Sequence, residues 1–264
     1  IASLEKAITP RSKAIIAVHL FGQSCNMEPL LKLATVHHLI VIEDNAQSLG
    51  TTYTFADGHT EFCGTMGTIG CTSFFPTKPL GCYGDGGALF CRDADLAEKL
   101  RMLANHGQKQ KYHHEVIGIN SRLDAVQASV LNVKLRHLDE YKKARQLAAA
   151  FYTTKLLAFD PDQSHIITPA TRHASHIYHQ YTLRVLNGKR DALRQHLEQQ
   201  GIPTMVYFPI PLHKQEAYLP VAQQLVPLSV SEQLCQEVLS LPMHTELTTE
   251  MQTRIVNAIK DFYE

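Results

Sequence analysis

The sequence predicts an α/β fold, a mainly parallel sheet flanked by helices, followed by a smaller C-terminal α+β domain. Three observations predict it. Residues 14–20 (AIIAVHL) and 39–42 (LIVI) are short, nearly unbroken apolar runs, the pattern of strands buried on both faces of a parallel sheet. Between them, residues 27–37 carry Leu30, Leu31 and Ala34 at helical spacing, so strand, helix and strand read as a parallel crossover unit. Past about residue 140 the order of elements changes to one that suits an α+β domain, which places the boundary between 1–139 and 140–264.

The remaining elements follow in order. A third strand runs from near Ile69 to residues 73–75, and residues 87–91 (GALFC) supply a fourth. Asp93 caps a helix over 95–105 with Leu96, Leu100 and Leu103 on one face. Residues 122–155 read as one long helix carrying Val126, Val130, Val133, Leu135 and Leu138, with Asn120 or Ser121 as its cap. Such a length exceeds an ordinary globular helix, so an interruption or a bridge between domains is expected. Beyond it come a strand at 181–185, a helix at 190–200 stopped by Gly201, a strand at 204–208 and a closing helix at 247–263. There is no internal repeat and no low-complexity linker.

Composition narrows the function. The 264 residues are 44% hydrophobic and 19% charged, enough to bury a sizeable core. Net charge is zero, and neither a basic face nor a long apolar span points to nucleic acid or membrane. The six cysteines form no CxxC pair and no zinc spacing, so no metal site is expected. Without a signal peptide they read as reduced thiols in a cytoplasmic protein. The 15 histidines lie mostly singly or in loop-like stretches and read as surface or satisfied core residues. The chain opens Ile1-Ala2-Ser3, without methionine, and reads as one whose natural start has been lost.

Asp44 follows a buried strand, where ligands bind in open α/β sheets; a carboxylate there can be a metal ligand or a cofactor partner, though taken alone it is more often a helix cap or loop anchor. Gln47, three residues on, points the same way if a helical turn begins there. Lys78 sits among aromatic and proline residues in SFFPTKPLG, away from any charged run. Desolvation lowers a lysine's pKa, as a Schiff-base nucleophile requires; a lysine whose stem crosses an apolar loop to reach water fits as well. The Ser73 hydroxyl can donate to a phosphate oxygen. Gly84, Gly86 and Gly87 serve first as a tight connection into the next strand. Asn120 lies where free N–H groups of a helix start can hold an anion, and Arg122 can hold a carboxylate or phosphate. Tyr207 and His213 belong to a rigid aromatic run that suits either a pocket wall or packing.

Together these segments resemble the DegT/DnrJ family of sugar-nucleotide aminotransferases, fold-type I enzymes dependent on pyridoxal 5'-phosphate (PLP). The stretches AIIAVHLFG, VIEDNAQSLG, GCTSFFPTKPLGCYGDGG, LRMLANHGQ, GINSRLDAVQA, HQYTLRV, GIPTMVYFPIPLH and VLSLPMH match collinearly along nearly the whole chain. The lysine segment and NSRLD are the specific parts. The resemblance implies that Lys78 bonds the cofactor as a Schiff base and that Asp44 pairs with the pyridinium nitrogen. It implies that Gln47 faces the phenolic oxygen and that Ser73 binds the phosphate. Asn120 is implied to reach the phosphate in the neighbouring subunit, hence a homodimer with shared active sites. Arg122, Tyr207 and His213 fall where the family lines its substrate site. Family members begin with a further N-terminal portion, holding a phosphate-binding loop and a ring-stacking aromatic residue, which this chain lacks. Pro79 stands where asparagine is common.

The implied reaction is ping-pong transamination from glutamate to a keto sugar nucleotide. Relatives that dehydrate sugars carry histidine in place of the lysine, and Lys78 argues against that chemistry. Another fold-type I enzyme, such as a desulfurase, and a non-catalytic regulatory or assembly protein on the same scaffold are the alternatives.

Overall fold

The computed structural model describes residues 1–171, 174–221 and 225–264. In chain order come helix α1 (Ala2–Ala7), strand β1 (Ala14–Val18), helix α2 (Met27–Val36), strands β2 (Ile40–Asp44), β3 (Thr52–Thr54), β4 (Thr60–Phe62), β5 (Ile69–Ser73) and β6 (Gly87–Phe90), and helix α3 (Ala94–Ala104). The short strands β7 (Gln108–Gln110) and β8 (His113–His114) precede helices α4 (Ala125–Leu135) and α5 (Leu138–Phe159). Then come β9 (Ile166–Ile167), β10 (Tyr181–Val185), α6 (Arg190–Gln199), α7 (Ser229–Glu237), β11 (Val238–Leu241) and α8 (Thr249–Tyr263). The chain divides into two compact units, one holding Arg11–Lys142 with 174–179, the other Ile1–Pro10, Lys143–Thr171 and Gln180–Glu264.

The first unit is built on a four-stranded sheet in the order β1-β2-β5-β6. Strands β1, β2 and β5 run parallel, with Ala14 opposite Ile40 and Asp44 opposite Cys71, and β6 closes the edge antiparallel to β5. Helix α2 makes the crossover from β1 to β2 and buries Met27, Leu30, Leu33 and Ala34. The apolar strand runs predict burial on both faces; the structure corrects that. Burial alternates along β1 and β2, with Ile15, Ala17 and Val41 inside. The other face leaves Ile16 67%, Val18 43%, Ile40 47% and Leu89 49% exposed.

The expected long helix is interrupted. Arg136 N–H donates to Val133 O at 3.3 Å and His137 N–H to Lys134 O at 3.0 Å, a tight three-residue closure that ends α4 before α5 begins. Neither Asn120 nor Ser121 is its cap. The N-cap of α4 is Asp124, while Ser121 N–H donates to Ala104 O at 2.9 Å and Asn120 bridges Asn105. Both residues fasten the C-terminal end of α3 instead. Asp93 does cap α3, its Oδ1 accepting Leu96 N–H at 2.8 Å.

The second unit has an antiparallel sheet, β11-β10-β9, with α6 and α8 packed together beside it. Leu193 and Leu197 of α6 and Ile255, Val256 and Ile259 of α8 are buried. The strand expected at 204–208 does not form. Met205 makes a single bridge to Ser240, with N–H···O distances of 3.1 and 2.8 Å, and Pro203 and Pro209 deprive the ladder of donors on either side. Among the described residues no helix is long and apolar enough to cross a membrane.

Candidate active site

Asp44 is the last residue of β2, at the carboxyl end of the parallel strands, where an open α/β sheet binds ligands. Its register partner is Cys71, so the two side chains share one sheet face, and alternation puts Ser73 of β5 on that face too. The Cys71 thiol is pushed up by burial and then by the Asp44 carboxylate, as that neighbourhood requires. Asp44 Oδ1 accepts Ala46 N–H at 3.0 Å. Among the described residues its second oxygen accepts nothing.

Glu43, one residue earlier, points to the opposite, buried face. It accepts His19 Nε2–H at 2.8 Å, Gly64 N–H at 2.8 Å, Met66 N–H at 2.7 Å and Gly67 N–H at 2.5 Å. Burial alone raises this carboxyl; the hydrogen bonds from His19, Gly67 and Gly64 outweigh it and hold the pKa below the ordinary value. Because Cys25 N–H donates to His19 Nδ1 at 3.1 Å, the imidazole is the neutral tautomer protonated on Nε2. Main-chain bonds continue the fastening: His19 N–H to Asp44 O at 3.0 Å, and Ser48 Oγ–H to His19 O at 2.6 Å. Asp44 therefore stands on a strand end tied to its neighbour strand and to the 64–67 loop. Sequence reasoning passed over His19 and Glu43. Their signal was a histidine inside an apolar strand run and a second acid beside Asp44.

Gln47 lies in the turn after β2, and its Oε1 accepts Phe21 N–H at 2.7 Å. Ser73 Oγ accepts Phe75 N–H at 3.2 Å, which leaves the hydroxyl hydrogen to donate elsewhere. Lys78 sits in the loop between β5 and β6. That loop folds back on itself: Lys78 N–H donates to Phe75 O, Cys82 N–H to Phe74 O and Phe74 N–H to Gly86 O, each at 2.8 Å. Phe74, Leu80 and Cys82 are buried against Leu131 of α4, and Lys134 Nζ donates to Gly81 O at 2.7 Å. Gly81 is required there, since a Cβ would stand 2.4 Å from Pro76 O. The loop is anchored at both ends, and Lys78 Nζ has no hydrogen-bond or ion-pair partner among the described residues. An unpaired, half-buried amine is available for chemistry.

Asn120 and Arg122 line a cleft of about 680 Å3 together with Asp85, Gly86, Gly87 and Arg101. Arg122 Nε donates to Asn120 Oδ1 at 3.3 Å. Six of the eight expected site residues (Asp44, Gln47, Ser73, Lys78, Asn120 and Arg122) thus fall in the first unit. Tyr207 and His213 fall in the second. There the Tyr207 ring meets Phe208 edge-on at 5.6 Å, and His213 Nε2 lies 3.1 Å from Glu232 Oε1, while Lys214 Nζ donates to Glu232 Oε2 at 2.6 Å.

Residues 1–260 match the DegT/DnrJ/EryC1/StrS aminotransferase family. A protein of Geobacillus stearothermophilus described as a pleiotropic regulatory protein is 44% identical over 99% of this chain and 68% of its own. A UDP-N-acetyl-3-dehydro-alpha-D-glucosamine 3-aminotransferase of Acidithiobacillus ferrooxidans is also 44% identical, over 98% of this chain and 67% of its own. Among solved structures, DesV of S. venezuelae, crystallised with a ketimine intermediate, superposes with a TM-score of 0.89 at 40% identity. That match covers 99% of this chain and 68% of DesV. The chain spans about two thirds of the length of these relatives.

Proposed function

The chain belongs to the DegT/DnrJ/EryC1/StrS aminotransferase family, and from that premise we propose that it transfers an amino group from glutamate to a keto sugar carried on a nucleotide, with PLP as cofactor. One observation carries the reading: an unpaired Lys78 amine on an anchored loop, just beyond a strand end whose face also presents Asp44 and Ser73. The relative described as a sugar-nucleotide 3-aminotransferase supports the substrate class.

The residues present fit the cofactor. Asp44 keeps one oxygen for a pyridinium N–H, Ser73 keeps a hydroxyl hydrogen for a phosphate, and Lys78 keeps a free amine for the aldehyde. When bound, PLP supplies an electron sink for breaking a bond at the carbon that bears the transferred nitrogen. Asp44 holds the ring nitrogen protonated by its negative charge. Lys78 Nζ takes and returns the proton at the substrate carbon, and its pinned loop keeps that amine in reach. Donor and acceptor use the site in turn, which makes the sequence ping-pong. Gln47 faces the ring oxygen, Asn120 reaches the phosphate of a second subunit, and Arg122, Tyr207 and His213 are each assigned to substrate binding. We place the enzyme in the cytoplasm as a homodimer; all six cysteines being free suits a reducing compartment.

Incubation with PLP tests the reading. A visible absorbance band is expected, absent in Lys78→Ala and discharged by glutamate. The relative described as a pleiotropic regulatory protein favours a second reading, a non-catalytic protein on this scaffold. A protein that shows no such band supports that second reading.

A further inference from the structure

Phe21 and Gly22, just past β1, both have left-handed backbone, with φ of 59° and 101°. For phenylalanine such a conformation is strained and persists only where the surroundings impose it. Here they do. Gly22 O accepts Thr51 Oγ1–H and Ile177 N–H, each at 3.0 Å. A Cβ on Gly22 would stand 2.8 Å from Ile177 Cγ1 and 2.9 Å from His179 N, so the segment 174–179 closes tightly over this turn. His19, two residues before Phe21, is held through its N–H, its carbonyl and both ring nitrogens.

The product of this fastening is one aimed donor, the Phe21 N–H, 2.7 Å from Gln47 Oε1. Turning the Gln47 amide over would set its NH2 group against that N–H, two donors facing each other. The amide therefore has one orientation. Its oxygen is committed, and only Nε2, with two hydrogens and no partner among the described residues, is left for a ligand.

We propose that Phe21 is a positioning residue: its main-chain N–H locks Gln47 as a hydrogen-bond donor, so that the site selects a ligand presenting an oxygen acceptor or oxyanion there. The inference rests on the PLP reading, in which that atom is the cofactor's ring oxygen. It adds that the anionic form of the oxygen is favoured by an amide that cannot turn to present its own oxygen.

The test uses the full chain as wild type, Gln47→Glu and Gln47→Met. Without ligand, hydrogen exchange reads the Phe21 amide. It is slow in wild type and Gln47→Glu, which both keep an acceptor, and at least about tenfold faster in Gln47→Met. With PLP added, the pH midpoint of the visible band reads the proton that the ring oxygen shares with the Lys78 nitrogen. The Gln47→Glu carboxylate cannot donate, so the midpoint rises by about one pH unit or more. Equal exchange at Phe21 in all three proteins overturns the lock. A protected Phe21 with an unmoved midpoint overturns its role toward the ligand. No band in wild type overturns the PLP reading and the ligand assignment with it, while the exchange result still decides the lock.

Discussion

His176 is buried beside Gly22, and burial pushes its pKa down to about 4 against the hydrogen bond to the Gly22 backbone that raises it. The neutral imidazole is the folded form. Above the unfolded pKa of about 6.5 neither state binds the proton, and below it the unfolded chain gains the proton first. Stability therefore falls as pH drops from about 6.5 to 4, by up to roughly 3 kcal/mol. Denaturant titrations should show that slope, and His176→Gln should flatten it. Glu43 adds to acid lability in the same direction, because its depressed pKa contributes stability that is lost as the carboxylate is protonated. At Asp44 the expected signature is kinetic. Asp44→Ala should still form the PLP band yet lose turnover by about 100-fold or more, since the charge facing the ring nitrogen is gone. Near-normal turnover removes Asp44 from the proposed role. Lys78 and Asp44 stood out in the sequence because each sits against its local chemistry, a lysine among aromatics and an acid ending an apolar run. Phe21 gave no such sign, since a main-chain N–H turned by left-handed backbone leaves no mark on residue type.

Strands β1 and β2 and helices α2 and α3 of the first unit were readable because their spacing and caps agree with one another, whereas the break after α4 and its Asp124 cap were not. The α2 face and the parallel β1–β2 pairing follow from apolar periodicity, and the Asp93 cap from a capping residue just before a helical run. The hairpin of β3 and β4 was not, being three residues to a strand, too short to show a period. The 204–208 run misled for the opposite reason: apolar residues favoured a strand, and flanking prolines limited it to one bridge. Two substitutions test the elements. Gly70 in β5 has the Gly64 carbonyl where a Cβ would project, at 1.9 Å, so Gly70→Ala must push backbone aside. It should destabilise by about 2 kcal/mol or more in chemical denaturation. Asp160, after α5, accepts Ser164 N–H at 3.0 Å, His165 N–H at 2.8 Å and Ile166 N–H at 2.9 Å. Asp160→Ala strands those donors and should cost about 2–4 kcal/mol in the same measurement.

For the whole molecule, the sheet of the first unit keeps one face apolar and open at Ile16, Val18, Ile40 and Leu89. Strand runs apolar on both sides led the sequence reading to two covered faces; the alternation in the structure covers one. The proposed homodimer makes a different whole-molecule prediction. If Lys78 and Asn120 of different subunits share each site, Lys78→Ala and Asn120→Ala proteins should both bind PLP poorly, and their mixture should regain function. Statistical exchange of subunits puts both native residues in roughly a quarter of the sites. No recovery on mixing means each subunit carries its own complete set.

The most direct measurement of the central claim is borohydride reduction of the protein with PLP, followed by peptide mapping. Reduction is expected to give one labelled peptide, with the added mass on Lys78 itself. Label spread over other lysines, or none retained, contradicts the claim.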